Sequence, residues 1–345
     1  MLLAPRQPRS IPDVIDALAG LQAQQARPPF AGLWTRIANF RRQDLCELLA
    51  RREVVRATAM RGTLHLLTMR QYPGFRKALQ PALSAGMHAI LRDRAANLDL
   101  DRLTAEAVKV FKQQPCTFAE LRPRMSAAFP DLDDERALGF AVRMHLPLIT
   151  VPDSANTWSF TGDSPFELAP ASDAASDIVL AYLRAFGPAT IADFQSWSAL
   201  KNGKELFAAI PNLVRYRDEK KRELFDAPDA APLPDPETEA HPRFVAAFDN
   251  LVLSHVDRSR IIAEEHRPKV VTKNLLVLPT FLVDGFVAGT WQTSIVKKQA
   301  ILTATPFEKI TKKVQKQLLP EAEELVRFLE PEAAGYAVDI RLEPA

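Results

Sequence analysis

The sequence predicts an α+β chain: three tandem units of helix, helix, helix and hairpin, followed by a β-rich, barrel-like domain. Three observations carry this: a repeated helix-start signature, a strand pair closing each unit, and a strand-rich segment beyond a linker rich in Pro, Asp and Glu.

The first element is a helix. Ile11, Val14, Leu18 and Leu21 recur at helical spacing, and the stripe runs into Leu21-Gln22-Ala23-Gln24-Gln25 before Arg27-Pro28-Pro29 stops it. At about 100° per residue a regular helix splays Gln22 and Gln24 to roughly opposite faces, whereas extended or loop backbone aims both the same way. If the two act together, the helix must unwind here. Read alone, the pair fits solvated glutamines at a fraying helix end better than a site.

Pro115-Cys116-Thr117-Phe118-Ala119-Glu120-Leu121 aligns with Pro188-Ala189-Thr190-Ile191-Ala192-Asp193-Phe194, and Pro29-Phe30-Ala31-Gly32-Leu33 is a weaker third copy. Thr followed three residues later by Glu or Asp is a capping-box pattern, so a short helix starts at each copy. Each unit then ends in strands. In the first, Val54–Met60 and Thr63–Thr68 flank Arg61-Gly62; in the second, Pro147–Val151 and Thr157–Phe160 flank Pro152–Asn156; in the third, Leu213–Tyr216 and Glu223–Phe225 flank a charged turn. This is the winged-helix order, a variant of the helix-turn-helix, and three in tandem point to nucleic acid. The units span 8–75, 76–168 and 169–230.

Ala227 to Pro242 reads as a linker. In the last domain, 240–345, strands are expected at 244–248, 251–253, 270–272, 275–278, 280–283 and 286–291, with Asp284-Gly285 as the strongest hairpin turn. A helix from Glu308 to Leu329 presents Val314, Leu318, Leu325 and Leu329 on one face, for packing.

Composition narrows the class. The chain has 345 residues, 47% of them hydrophobic, and a net charge of +2, enough for two to four domains with ample core. The beginning lacks a sustained apolar stretch and no run of about 18 apolar residues occurs, so neither secretion nor a membrane span is expected. Cys46 and Cys116 fit no disulfide framework or zinc spacing, which predicts a reduced cytoplasm and no metal. From Trp34 to Lys77 there are ten Lys or Arg residues against three acids. Such an excess suits a phosphate-binding face, although a solvated Arg-rich helix face would look the same.

The chain resembles the winged-helix DNA glycosylases of the AlkZ type. The resemblance rests on Leu21-Gln22-Ala23-Gln24, Met60-Arg61-Gly62-Thr63-Leu64-His65, Gly187-Pro188-Ala189-Thr190, Phe248-Asp249-Asn250 leading to His255-Val256-Asp257-Arg258, and Val283-Asp284-Gly285 with Gly289-Thr290-Trp291. No one motif is specific, but the ordered set covers nearly the whole chain. It implies a concave assembly of three winged helices plus a C-terminal β-domain. It implies that Gln22 and Gln24 are catalytic and that a DNA-contacting hairpin near His255-Val256-Asp257-Arg258 enters the duplex. A sister group carries an acidic second position, so Gln24 places this chain in the all-amide branch.

A glutamine cannot ionise at neutral pH and so can only orient, whereas a carboxylate can take a proton or offset an oxocarbenium charge. Such a site suits a leaving group that is already activated. The expected substrate is therefore double-stranded DNA with cationic N7-alkylated guanine, with Gln24 holding water and Gln22 contacting the lesion or deoxyribose. Asp257 would polarise water or offset charge, and His255 and Arg258 would bind phosphate; a surface ion pair of Asp257 with Arg258 is the plainer reading. Arg36 and Arg61 are further DNA-binding candidates, and Trp34 is expected in the core. The open cleft implied by the resemblance admits bulky natural-product adducts and interstrand crosslinks, in repair or in antibiotic self-resistance.

No dinucleotide or Walker pattern, metal spacing or cofactor need is present, and the first seventy residues hold no lysine for a Schiff base. A monofunctional, monomeric enzyme is expected. The alternative is a non-catalytic tandem winged-helix regulator, which would keep DNA affinity and lose nothing on substitution of Gln22 and Gln24. An RNA or protein scaffold, with no preference for duplex DNA, is a weaker third reading.

Overall fold

The computed structural model describes residues 1–342 except 4, 96, 97, 131, 133, 234, 236, 239 and 275. It is a mixed α+β chain of two compact units, one formed by Ile15–Ala26 and Arg41–Ala230, the other by Met1–Val14, Arg27–Phe40 and Ala231–Ala345.

The first helix covers only Ile11–Ala17. It ends well before the prolines, through a Schellman-type closure: the Ala19 N–H donates to Asp16 O at 3.0 Å and the Gly20 N–H to Ile15 O at 2.9 Å. Ala19 and Gly20 both have positive φ, 49° and 90°. The reversed chain then runs extended as strand β1, Leu21–Gln22. A side chain at Gly20 would press on Leu67, its Cβ lying 2.7 Å from Cδ2.

In this unit β2 (Val54–Thr58) and β3 (Leu64–Thr68) form the hairpin expected from the sequence, joined by a tight turn through Met60–Gly62. β4 (Leu148–Thr150) and β5 (Phe166–Leu168) complete a sheet ordered β1-β3-β2-β4-β5. The partner of β4 is thus Phe166–Leu168 and not Thr157–Phe160, which is turn and irregular backbone. β6 (Val214–Arg217) and β7 (Glu223–Asp226) form a separate two-stranded ribbon.

Both capping boxes form. Thr117 caps the helix Phe118–Ala128 reciprocally with Glu120, and Thr190 caps Ile191–Ser198 with Asp193. Trp197 near the end of the latter is fully buried among the rings of Phe75, Tyr182, Phe186 and Phe194.

The second unit is built on β8 (Arg243–Val245), β9 (Thr280–Val283), β10 (Phe286–Val296), β11 (Gln299–Pro306) and β12 (Gly335–Ile340), ordered β12-β11-β10-β9-β8. Among the described residues this sheet is open, so the barrel-like closure expected from the sequence is corrected. Asp284-Gly285 makes the β9–β10 turn with both φ positive. Residues 251–253 lie in a short helix, Asn250–Leu253, capped by Asp249, and not in a strand. Residue 270 ends the helix Arg267–Val270, and Leu275 lies outside the described residues, as does part of the expected linker. The late helix runs Lys312–Leu329 and buries Leu318, Leu325 and Leu329. Gly289 of the Gly289-Thr290-Trp291 motif lies at a bulge where an added Cβ would stand 2.4 Å from the Phe281 ring and from Thr305 O.

An ion pair anchors this unit internally. The Arg36 side chain is 0% exposed and donates to both carboxylate oxygens of Asp249 at 2.8 Å. Arg36 is therefore corrected from a DNA contact to a structural cation, and Trp34 packs on Phe328 as a core residue. Removing one partner of a buried pair strands the other charge. In urea unfolding, Asp249→Ala should lose about 3–5 kcal/mol, and adding Arg36→Met should recover most of that loss. Gly20→Ala should destabilise the other unit by about 1–3 kcal/mol in the same measurement, because the residue must hold positive φ against Leu67.

Candidate active site

The site begins with the pairing of β1 on β3, which sets Leu21 opposite Leu66 and Gln22 opposite His65. Directly opposed residues of an antiparallel pair share a face, so Gln22 and His65 are side-by-side neighbours. Gln22 is mostly buried, at 9% exposure, while Gln24, in the bend just beyond the strand, is exposed. The helix is thus unwound at both glutamines.

Each amide has an anchor. Gln22 Oε1 accepts from Arg61 Nη2 at 2.8 Å, and Gln24 Oε1 accepts from the Leu64 backbone N–H at 3.3 Å. Both anchors are donors only, so each carbonyl oxygen must face its anchor and each NH2 group must face away. Neither NH2 takes a hydrogen bond within the described residues. The pair therefore offers N–H donors outward, with one lone pair of each carbonyl oxygen still unused.

Arg61 is itself held in place. It sits in the left-handed region at φ 56°, in the β2–β3 turn, and its Nη1 donates to Trp197 O at 2.6 Å. That carbonyl belongs to the last turn of its helix and has no intrahelical partner, so a guanidinium satisfies it and the negative end of the helix dipole together. A bulky residue at positive φ is costly and persists only where its surroundings fix it. Here the buried Trp197 cluster does so.

His65 is fully buried, with Nδ1 3.0 Å from Thr63 O, and its Nε2 has no partner. Nδ1 must carry the proton to donate to that carbonyl, so Nε2 presents a bare lone pair. Burial, then the Arg61 charge, pulls its pKa down to about 3. The ring is neutral at physiological pH and too weakly basic to act as a general base.

Arg56, one of the ten basic residues between Trp34 and Lys77, stands alone inside the apolar run Val54–Thr58. Its Nε donates to Ala23 O at 2.8 Å and its Nη2 to Gln24 O at 3.2 Å, which fixes the backbone around both glutamines. The basic segment 34–77 is not one phosphate-binding face: Arg36, Arg56 and Arg76 are buried, and Arg41, Arg51, Arg52 and Arg70 pair with carboxylates.

His255, Asp257 and Arg258 lie in the other unit, in a loop after the helix Asn250–Leu253. These four positions, 255–258, form no strand themselves, so they are not part of the hairpin expected near them. His255 Nδ1 lies 2.8 Å from Ser254 Oγ, Asp257 accepts from the Ser259 N–H and hydroxyl, and Arg258 Nε donates to Val252 O at 2.6 Å. Asp249 of the neighbouring motif is committed to Arg36 and to its helix cap.

A family model for the DNA glycosylase AlkZ-like family matches residues 15–328. The chain belongs to that family. Its class of activity is accordingly that of a DNA glycosylase, a hydrolase of N-glycosyl bonds. An interstrand DNA cross-link repair glycosylase of Streptomyces sahachiroi is 26% identical over 97% of this chain and 92% of its own length. The solved structure of Streptomyces sahachiroi DNA glycosylase AlkZ superposes with a TM-score of 0.78 over 99% of this chain and 95% of that one, at 21% identity, which shows a shared fold. No helix among the described residues is long and apolar enough to cross a membrane, and no group of three His, Cys, Asp or Glu residues among them could hold a metal.

The buried neutral His65 has a consequence for stability. Its folded pKa is about 3, against an ordinary value of 6.5, so the unfolded chain binds more protons between those limits. Its contribution is fully present above about pH 6.5 and falls with acidification by up to about 1.4 kcal/mol per pH unit. Urea unfolding at stepped pH should show this slope in the parent and lose it in His65→Gln.

Proposed function

We propose that this DNA glycosylase is monofunctional and hydrolyses the N-glycosidic bond of cationic N7-alkylguanine in double-stranded DNA, with Gln22 and Gln24 as its catalytic residues. The observation that carries the reading is the anchoring of both amides by obligate donors beside a histidine too acidic to serve as a base. A site without an ionising base needs a leaving group that departs unaided, and an N7-alkylated guanine leaves as a neutral base.

In this mechanism the water oxygen bonds to C1′ as the C1′–N9 bond breaks. The bonding pair stays on N9 and neutralises the ring cation, and the water proton passes to solvent. Gln24 accepts from the water through its unused carbonyl lone pair, and Gln22 donates from its NH2 to the lesion or the deoxyribose oxygen; the contribution is positioning. No cofactor enters the step.

Residues 8–75, 76–168 and 169–230 are read as winged-helix units, with Arg61 a DNA-binding residue of the first, and 240–345 as a β-domain whose His255, Asp257 and Arg258 bind DNA. The likeness of an interstrand DNA cross-link repair glycosylase over almost the whole chain supports interstrand crosslinks as substrates. Bulky adducts, a setting of cytoplasmic repair or antibiotic self-resistance, and a monomeric protein complete the proposal.

The test uses duplexes with one N7-methylguanine, one bulky N7-adduct, or uracil, with strands cleaved at abasic sites after single turnover. Both cationic lesions should be released, the rate should be flat from about pH 6 to about pH 9, and Gln22→Ala or Gln24→Ala should slow release about 10²-fold while DNA affinity is kept. Uracil released as fast as the cationic bases would sink the activation argument. Tight binding with no release of any base would favour the regulator.

A further inference from the structure

Beside Gln24 a cleft of about 300 Å³ is lined by Arg56, Arg122 and Arg143 together with Leu64 and Phe118. All of these residues belong to the unit that carries both glutamines. Arg56 is 6% exposed and Arg143 is also largely buried. Among the described residues none of the three makes an ion pair: Arg56 spends its bonds on two carbonyls and lies over the Phe160 ring, Arg143 Nε donates to Thr58 Oγ1 at 3.1 Å, and Arg122 Nε is buried with no partner. Arg122 lies along Gly139, where an added Cβ would stand 3.3 Å from its Cγ.

Buried cations are ordinarily paired, because taking a charge out of water without a counter-charge is expensive. Burial, then the charge of Arg143, pulls the Arg56 guanidinium down to about 10, so it is still a cation at neutral pH and the cost is borne. The nearest acid on the cleft wall, Asp163, is exposed. Three uncompensated guanidiniums around one cleft make a receptor for an anion, while the hydroxyls of the wall residues Thr117 and Ser164 are committed to Glu120 and to Thr161 O.

We infer that this cleft binds one phosphodiester of the damaged strand, adjacent to the lesion, and so sets the register of the scissile nucleotide against Gln24. The inference rests on the glycosylase reading of that site. Sign decides between a phosphate and the extruded base: an N7-alkylguanine is a cation, and three guanidiniums repel it while they attract the phosphate. Arg56 couples the two functions, since the guanidinium facing the phosphate also holds Ala23 O and Gln24 O.

The test uses duplexes with a stable abasic analogue and one neutral methylphosphonate, moved a position at a time along the damaged strand. One position should weaken binding to the parent protein about tenfold or more, as expected for loss of a charge-assisted contact. Arg122→Ala should bind the all-phosphate duplex correspondingly more weakly, show a salt slope smaller by about one, and suffer no further loss at that position. Arg122→Lys should restore most of the affinity and so separate charge from folding. If each methylphosphonate costs Arg122→Ala as much as it costs the parent, the cleft does not hold a phosphate. Base release from an N7-methylguanine duplex by the parent protein is scored separately, so its failure would count against the glycosylase reading alone.

Discussion

The pairing of two residues, Leu21 and Gln22, with Leu66 and His65 is the constraint on which the rest of the site depends. It exists because Ala19 and Gly20 both take positive φ and turn the chain back as soon as the helix ends. Had the helix continued to the prolines, Gln22 could not have met the Arg61 guanidinium in register across a hairpin. The two-residue strand converts a polar helix tail into a pair of amides with defined donor and acceptor ends.

Arginine serves three physical ends in this chain, distinguished by what compensates the charge. Arg36 is buried against a carboxylate and holds its unit together. Arg61 donates to a helix-terminal carbonyl and to an amide oxygen, and so orients Gln22. Arg56, Arg122 and Arg143 have no counter-ion among the described residues and lie around one cleft. Sequence charge counts cannot separate these uses, since all five are arginines and three of them fall within one basic segment.

The motifs that support the family resemblance divide in the same way. Gly289 makes room for Phe281, and Asp249 neutralises Arg36, so these are positions where folding alone demands the residue. Gln24 is exposed and Gln22, though mostly buried against Arg61, shares with it an unused NH2. That residue types suited to hydrogen bonding are held in place with capacity left over is the physical ground on which the two glutamines are proposed as the catalytic pair.

What the sequence determined by itself were the features with local causes. Thr117 with Glu120 and Thr190 with Asp193 start helices because hydroxyl and carboxylate satisfy free amides within one turn, and Asp284-Gly285 turns a hairpin because both residues tolerate positive φ. The late amphipathic helix and the β2–β3 hairpin were legible for the same reason. Tertiary structure decided what local chemistry leaves degenerate. Lys297 and Lys298 also turn with positive φ, but nothing in two lysines announces it, so β11 and β12 went unseen. Strand β5 lies at Phe166–Leu168 because that segment, and not the nearer one, meets β4. Which arginines are buried, which carbonyl Arg61 meets, and which way each glutamine amide faces are set by partners between 32 and 213 residues away, and no window of sequence contains them.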